Sequence, residues 1–345
     1  MLRSIAILFL FMFCTITWAK QYRIGALYWS MNIEGQVSMR DGLTKKFKEL
    51  SSKDKKNTYN LIEEVAGDGE AGVENQIKQM NNMIAKNVDA IIVQPTNIAA
   101  LAKPLQLANQ RNIPVISYDQ FILQGVMTSF VTSNNFQAGY LDGEYIASLF
   151  DDSFEIKLIL VEYPMVSSTV ERVNGFIDAL NEHGQKYKII KTYIAVEPVE
   201  GAKVGAEILR DFPFKSSVDV IFTINDGGGI SIAKKIIAAK RDEIKIATID
   251  GDPESIKLLK AGKVIVINTA QFCGQLGSKS VEILFDLLAR KSIPKKVLVP
   301  VFPITKKTLH LYPGWGGEIP KPFKKPWKNE YWNNKFVTSS KKINE

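Results

Sequence analysis

The chain has 345 residues, 46% of them hydrophobic, and a formal net charge of +8. That length exceeds one typical core and suits two lobes of about 100 to 150 residues each, and the composition excludes general disorder. With two cysteines and two histidines in the whole chain, clustered Cys/His metal spacings are excluded as well.

The chain opens on Arg3, an apolar run from Ile5 to Phe13 and the small-residue stretch Thr17-Trp18-Ala19. The run is shorter than the roughly 20 apolar residues that span a bilayer, so residues 1–19 are expected to be a cleaved signal peptide and the mature protein to be periplasmic. Cys14 follows Phe13, where a lipoprotein site requires a small residue, so no lipid anchor is expected. Cleavage leaves Cys273 alone, and no intramolecular disulfide can form; in QFCGQLG it reads as a small, partly buried thiol. A basic chain first suggests nucleic acid, but export argues against that partner. The lysine clusters at 45–56 and 321–328 read as solvated faces or a docking patch.

Strand and helix patterns then alternate. Strands are predicted at 22–28, 58–65, 89–94 and 113–118, with helices at 35–50, 72–86 and 97–111 between them. From about residue 128 the pattern restarts with strand FVTS and a helix over 135–150. Strands follow at 155–161, 187–194, 218–223 and 244–249, with helices over 168–183, 201–211 and 229–240. The ordered part closes with helix 253–261, strand 263–268, helix 275–290 and a strand near 297–302. Such alternation predicts α/β architecture with parallel sheets. After residue 305 four prolines, three glycines and repeated aromatics make regular structure improbable. Trp315, Phe323, Trp327 and Trp332 are expected to pack on a lobe surface.

One unit occurs twice. Residues 88–120 run VDAIIVQPTN, a helical stretch, then NIPVISYDQ; residues 218–251 run VDVIFTINDG, a comparable stretch, then EIKIATIDG. Each copy ends a strand on an aspartate, Asp119 or Asp250. In parallel α/β sheets ligands sit outside the carboxyl ends of the strands, so both aspartates point to a cleft between two lobes.

No catalytic constellation accompanies them. A triad would need His183 or His310, both in surface-like stretches, and there is no phosphate-loop lysine motif. Asp226-Gly227-Gly228-Gly229 reads as a strand-to-helix turn with close backbone approach. The remaining polar residues at strand ends are Asn32, Asp119, Ser133, Asn135, Asn225, Asp250 and Gln271, with Arg172 on a helix. Carboxylates and amides satisfy hydroxyls that both donate and accept, so this set suits a sugar or polyol. Taken singly, most of them also read as turn formers or helix caps; recurrence in both halves separates the two readings.

The segments VDAIIVQPTNIAAL, NIPVISYDQ, TSNNFQAGYLDGEYIA, ERVNGF, FTINDGGG, ATIDGDPESIKLLKAG and TAQFCGQLG carry a further signal. In them the chain resembles periplasmic sugar-binding proteins of the ribose-binding type, over the mature sequence up to about residue 305. The resemblance implies a type I periplasmic binding protein fold: two doubly wound, Rossmann-like lobes joined by a three-segment hinge near 131–134, 270–273 and 300–304. Residues 20–132 with 272–301 would form the first lobe, 133–271 with 302–310 the second, and 311–345 an irregular tail. Asp119 and Asp250 would hold sugar hydroxyls from opposite lobes and Arg172 a ring or hydroxyl oxygen. Ser133, Asn135, Asn225 and Gln271 match further ligand-contacting positions. The N-terminal motif departs: YWSMNIEGQ stands where the family has asparagine followed by paired aromatics. Trp29 or Tyr28 is expected to replace the stacking face beside Asn32, while Glu34 puts a charge where an apolar ring belongs. In AVEPVEGAK, Glu197 or Glu200 either faces the cleft or is solvated.

The resemblance implies a monomeric solute receptor, not an enzyme, with no cofactor or metal, that presents its ligand to the permease of an ATP-binding-cassette (ABC) importer. The alternative is a sensory subunit docking on a membrane histidine kinase or chemoreceptor.

Overall fold

The computed structural model describes residues 19–340; the expected signal peptide, apart from residue 19, lies outside the described residues. The first run comprises β1 (Gln21–Tyr28), α1 (Glu34–Lys53), β2 (Thr58–Val65), α2 (Gly69–Ala85), β3 (Ala90–Val93), α3 (Ala102–Gln110), β4 (Val115–Tyr118) and β5 (Ser129–Ser133). The second comprises α4 (Asn135–Ala147), β6 (Ile156–Glu162), α5 (Ser167–Glu182), β7 (Tyr187–Ile194), α6 (Pro198–Asp211), β8 (Val220–Thr223), α7 (Asp226–Ala238), β9 (Lys245–Asp250), α8 (Pro253–Lys260) and β10 (Ile265–Ala270). There follow α9 (Cys273–Leu288), β11 (Lys296–Val299), β12 (Phe302–Ile304), β13 (Phe323–Lys324), β14 (Tyr331–Trp332) and β15 (Val337–Ser339).

Two sheets result. The first has the order β15-β11-β5-β4-β3-β1-β2 and the second β12-β10-β9-β8-β6-β7. Within them β2-β1-β3-β4-β5 and β7-β6-β8-β9-β10 follow one pattern, all parallel. The internal repeat of the sequence is therefore a repeat of topology. Central strands β3 (AIIV), β4 (VISY) and β8 (VIFT) are buried throughout, because helices cover both faces of a parallel sheet and every side chain meets a core. Edge strands β2 and β7 mix in exposed residues. No helix among the described residues is long and apolar enough to cross a membrane.

The two lobes exchange helices. α4 follows β5 but packs on α5, β9 and β10, and α9 follows β10 but packs on α1, β4 and β5. Chain therefore passes between lobes at 133–135 and at 271–273, and again between β11 of the first sheet and β12 of the second. Glycines let the exchanged helices approach backbone to backbone. A methyl on Gly139 would strike the Arg172 carbonyl and one on Gly175 the Phe136 carbonyl, between α4 and α5; one on Gly277 would strike the Met39 carbonyl between α9 and α1.

The tail runs irregularly apart from the short strands β13, β14 and β15, yet it is firmly packed. Trp332 is 2% exposed, packs against the rings of Phe302 and Phe323, and donates from Nε1 to the Val301 carbonyl at 2.7 Å. Lys325 Nζ reaches both oxygens of buried Glu144 at 2.7 Å, and Trp327 Nε1 donates to the same carboxylate at 2.8 Å. These contacts fix the tail to the second lobe, but β15 then pairs antiparallel with β11 in the first sheet. The tail belongs to both lobes because β11 would otherwise end that sheet with unpaired backbone groups.

Candidate functional site

Asp119 and Asp250 occupy equivalent places, directly after β4 and at the end of β9. Both lie at positive φ, 65° and 130°. For a non-glycine residue such backbone is held only by its surroundings. Asp119 is fixed by its N–H donating to the Val131 carbonyl at 2.8 Å and by Thr132 Oγ1 donating to its own carbonyl at 2.9 Å. The Asp250 carbonyl accepts from the Gln271 N–H at 3.0 Å. From these positions the Asp119 carboxyl meets Gln94 and the Asp250 carboxyl meets Arg172 and Gln271.

Between them stands Arg172 on α5, 4% exposed. Its Nη1 donates to Asp250 Oδ1 at 3.1 Å and to the Ile224 carbonyl at 2.7 Å, and its Nε donates to Asn135 Oδ1 at 3.0 Å. Its Nη2 has no hydrogen-bond partner among the described residues. Asn135 Nδ2 in turn donates to Thr132 Oγ1 at 3.1 Å. Gln271 Nε2 donates to Asp250 Oδ1 at 2.7 Å, and Gln271 Oε1 accepts from Ser133 Oγ at 2.7 Å. A continuous chain of hydrogen bonds thus links the two strand-end aspartates through two of the interlobe passages. Burial pushes the Asp119 carboxyl above its ordinary range, opposed by the bond from Gln94 and the charge of Arg172. Burial likewise raises Asp250, with Arg172 the main opposing influence. The guanidinium is the one cation in this hydrogen-bonded chain, and it keeps the site short of accumulating negative charge.

Of the nine residues the sequence singles out, Asp119, Ser133, Asn135, Arg172, Asp250 and Gln271 fall in this one network. Asn135, Ser133 and Gln271 spend their polar atoms on orienting it. Asn225 lies beside it and caps α7: its Oδ1 accepts from the Gly228 N–H at 3.2 Å while its Nδ2 donates to the Val196 carbonyl at 2.9 Å. Trp29 is half-buried after β1, with its backbone N–H on Gln94 Oε1 at 3.4 Å. Asn32 is exposed and donates to Asp68 at 2.6 Å.

Tyr28 is no stacking face: it is fully buried beneath Arg40 of α1 and its hydroxyl donates to Glu63 at 3.0 Å. Glu34 is exposed in the first turn of α1. Glu197 is raised by burial and by the charges of Glu200 and of Asp68, which belongs to the first lobe. Cys273 is buried and its thiol is pushed well up by burial, which makes it a poor nucleophile. No group of three or more His, Cys, Asp and Glu among the described residues could hold a metal ion.

Two further residues join the site without a turn or cap signal in the sequence. Gln94, after β3, donates to Asp119 Oδ2 at 3.0 Å. Gln120 Nε2 reaches across to Ser168 Oγ on α5 at 2.9 Å, joining the lobes directly, and its Oε1 is buried without a donor. Gln94 follows its strand as Asn225 nearly does in the other copy, and that internal alignment was the available signal. A separate pocket of about 520 Å³, lined by Tyr22, Asp54, Tyr59 and Phe285, lies at the opposite, amino-terminal ends of β1 and β2. Parallel sheets do not present their ligand sites there.

Comparison with known proteins bears on the fold. The profile described as periplasmic binding protein domain matches residues 24–292. The ribose import binding protein of Escherichia coli K12 is 25% identical over 272 residues, which cover 79% of this chain and 86% of that protein. Among solved structures, a D-allose-bound periplasmic solute binding protein of an ABC transporter from Actinobacillus succinogenes superposes with a TM-score of 0.73 at 24% identity, covering 84% of this chain and all of that one. A myo-inositol-bound solute binding protein from Bacillus halodurans gives 0.73 at 22% identity, covering 85% and 97%.

Proposed function

The chain belongs to the periplasmic binding protein family, and from that premise we propose that it captures a sugar or related polyol between its lobes and presents it to the permease of an ABC importer. The carrying observation is that Asp119 and Asp250 stand at equivalent strand ends of the two sheets and are joined by one hydrogen-bonded chain that runs through Arg172. Each carboxylate accepts ligand hydroxyls, and the free Arg172 Nη2 donates to a ring or hydroxyl oxygen. A ligand touches both lobes only when they are closed, and that differential contact drives closure of the hinge. Closure is the state a permease reads. The relatives described above are import and transporter binding proteins, which favours uptake over a sensory subunit.

A thermal-shift screen against pentoses, hexoses and cyclitols tests the reading, since a ligand selective for the folded state raises stability by RT ln(1 + [L]/Kd). At least one polyol is expected to raise Tm in the wild type and to lose most of that effect in Asp119→Ala and Asp250→Ala. If no polyol shifts Tm, or if both variants respond as the wild type does, the cleft is not a polyol site.

A further inference from the structure

The tail passes the cleft before it docks. Tyr312 packs its ring on Phe302 at 5.7 Å, Gly314 turns the chain at φ 86°, a conformation glycine adopts without strain, and Trp315 comes to lie between the lobes. Its Nε1 donates to the Asp250 carbonyl at 2.6 Å. Its own carbonyl accepts from the Gly274 N–H, in the first turn of α9, at 3.2 Å. A Cβ on Gly35, in the first turn of α1, would sit 3.9 Å from its ring. One half-buried residue thus touches the second lobe at Asp250 and the first lobe at two helices.

The hydrogen bond falls on a particular atom. Among the described residues the Asp250 carbonyl has two donors, the Gln271 N–H and Trp315 Nε1, and it belongs to the residue with φ 130°. Backbone in that region persists only when neighbours over-determine it. The indole N–H is therefore part of what keeps Asp250 in the conformation from which its carboxyl meets Arg172 and Gln271. On both sides of this contact the tail is anchored, by Tyr312 before it and by Trp332 and β15 after it, so the ring is held in place without a ligand.

We propose that Trp315 is a positioning residue for the cleft, fixing the conformation of Asp250 and tying the two lobes at the cleft edge, so that the tail sets both affinity and the extent of opening. This rests on the reading of Asp119 and Asp250 as ligand acceptors.

The test uses the full chain with Trp315→Phe, which keeps a ring but not the N–H, and Trp315→Ala. D-ribose, D-allose and myo-inositol serve as probes in calorimetry, beside Tm and the radius of gyration of unliganded protein from X-ray scattering. Trp315→Phe is expected to bind about three- to tenfold more weakly, the effect of one neutral hydrogen bond, with little change in Tm. Trp315→Ala should bind more weakly still and be more extended without ligand. A drop in Tm with affinity and radius unchanged would make the residue a filler and overturn the proposal. If the wild type gives no heat with any probe, the polyol reading fails, while an unchanged radius in Trp315→Ala separately overturns the tie between lobes.

Discussion

Asp119 and Asp250 end equivalent strands in two separate sheets, and both do so with a left-handed or more strained backbone, at φ 65° and 130°. Repetition of the strain in both lobes marks it as part of the site's construction. A non-glycine residue in such conformations costs on the order of 1–3 kcal/mol, tolerated where it aims a functional group.

Strain and function can be separated at Asp119. Glycine relieves the backbone but loses more entropy on folding, and the two effects are each about 1 kcal/mol and opposed. Asp119→Gly is expected to unfold in urea within about 1 kcal/mol of the wild type. A hydrogen bond to a charged group contributes roughly 1.5–3 kcal/mol, so its affinity for the ligand should fall about tenfold or more. Equal affinity would remove Asp119 from the site.

Arg172 joins stability to binding. Methionine at this position leaves Asp250 facing the network without its cation, and removing one partner of a buried pair costs about 3 kcal/mol. The Asp250 carboxyl, already raised by burial, rises further without Arg172 to oppose it. A group whose pKa is raised on folding stabilises the native state at low pH and loses that contribution as pH rises through the folded value. Arg172→Met should therefore recover part of its lost stability as pH is lowered from 7.5 to 5, measured by urea unfolding at each pH. A deficit independent of pH would show that lost packing dominates. Lysine is not expected to rescue binding, since one ammonium cannot reproduce the bonds to Asn135, Ile224 and Asp250.

Asp142 offers a cleaner pH probe away from the cleft. It is fully buried on α4, its Oδ1 accepts from Thr269 Oγ1 at 2.6 Å, and its Oδ2 has no donor. Burial drives its carboxyl well above the ordinary range, and the charge of Asp226 adds to the rise. A carboxyl raised on folding stabilises the native state fully below the unfolded pKa of about 3.9, and that contribution declines as pH rises toward the folded value. Asp142→Asn keeps shape and removes the titration. Its Tm should match or exceed that of the wild type at pH 8, with the gap narrowing toward pH 4. A variant markedly less stable at pH 8 would mean that the ionised form is the native one.

Gly139 tests how far helix packing sets the site. Alanine there forces α4 from the Arg172 carbonyl, and overpacking of this kind costs about 1–3 kcal/mol. Because the displaced backbone carries Arg172 itself, affinity should fall together with Tm. Gly184→Ala, at φ 65° with open space around it, should lower Tm and leave affinity alone. Were Gly139→Ala to lose stability but bind normally, α5 would tolerate movement without disturbing the guanidinium.

Much of this arrangement is legible in the sequence. Apolar runs such as AIIV and VIFT, each emptying into small polar residues, mark buried parallel strands, and two copies of strand, helix and strand-to-aspartate give two lobes and their strand-end carboxyls. The polar residues divide less readily. Asn135 and Asn225 look alike as strand-end amides, yet one is bonded to Arg172 and the other caps a helix, a distinction made only by tertiary neighbours. Gln94 and Gln120 carry no turn or cap preference and were silent for that reason. Strands of two or three residues, as in the tail, have no periodicity to read, and the edge that β15 completes is supplied by a segment about forty residues earlier.

That edge bears on the order of assembly. The first sheet needs β11 and β15, the latter almost the last part of the described chain, although the rest of its lobe is made first. A chain emerging from its amino end can build β1 to β4 early but must hold the flank of that sheet open until β11 and β15 have followed. Domains usually fold as units in the order of synthesis; here the lobe begun first is the lobe finished last, and contacts this distant in sequence form slowly. Loss of β15 would therefore be felt in the lobe that the amino-terminal strands build, left with β11 as an exposed strand to pair with its neighbours in solution.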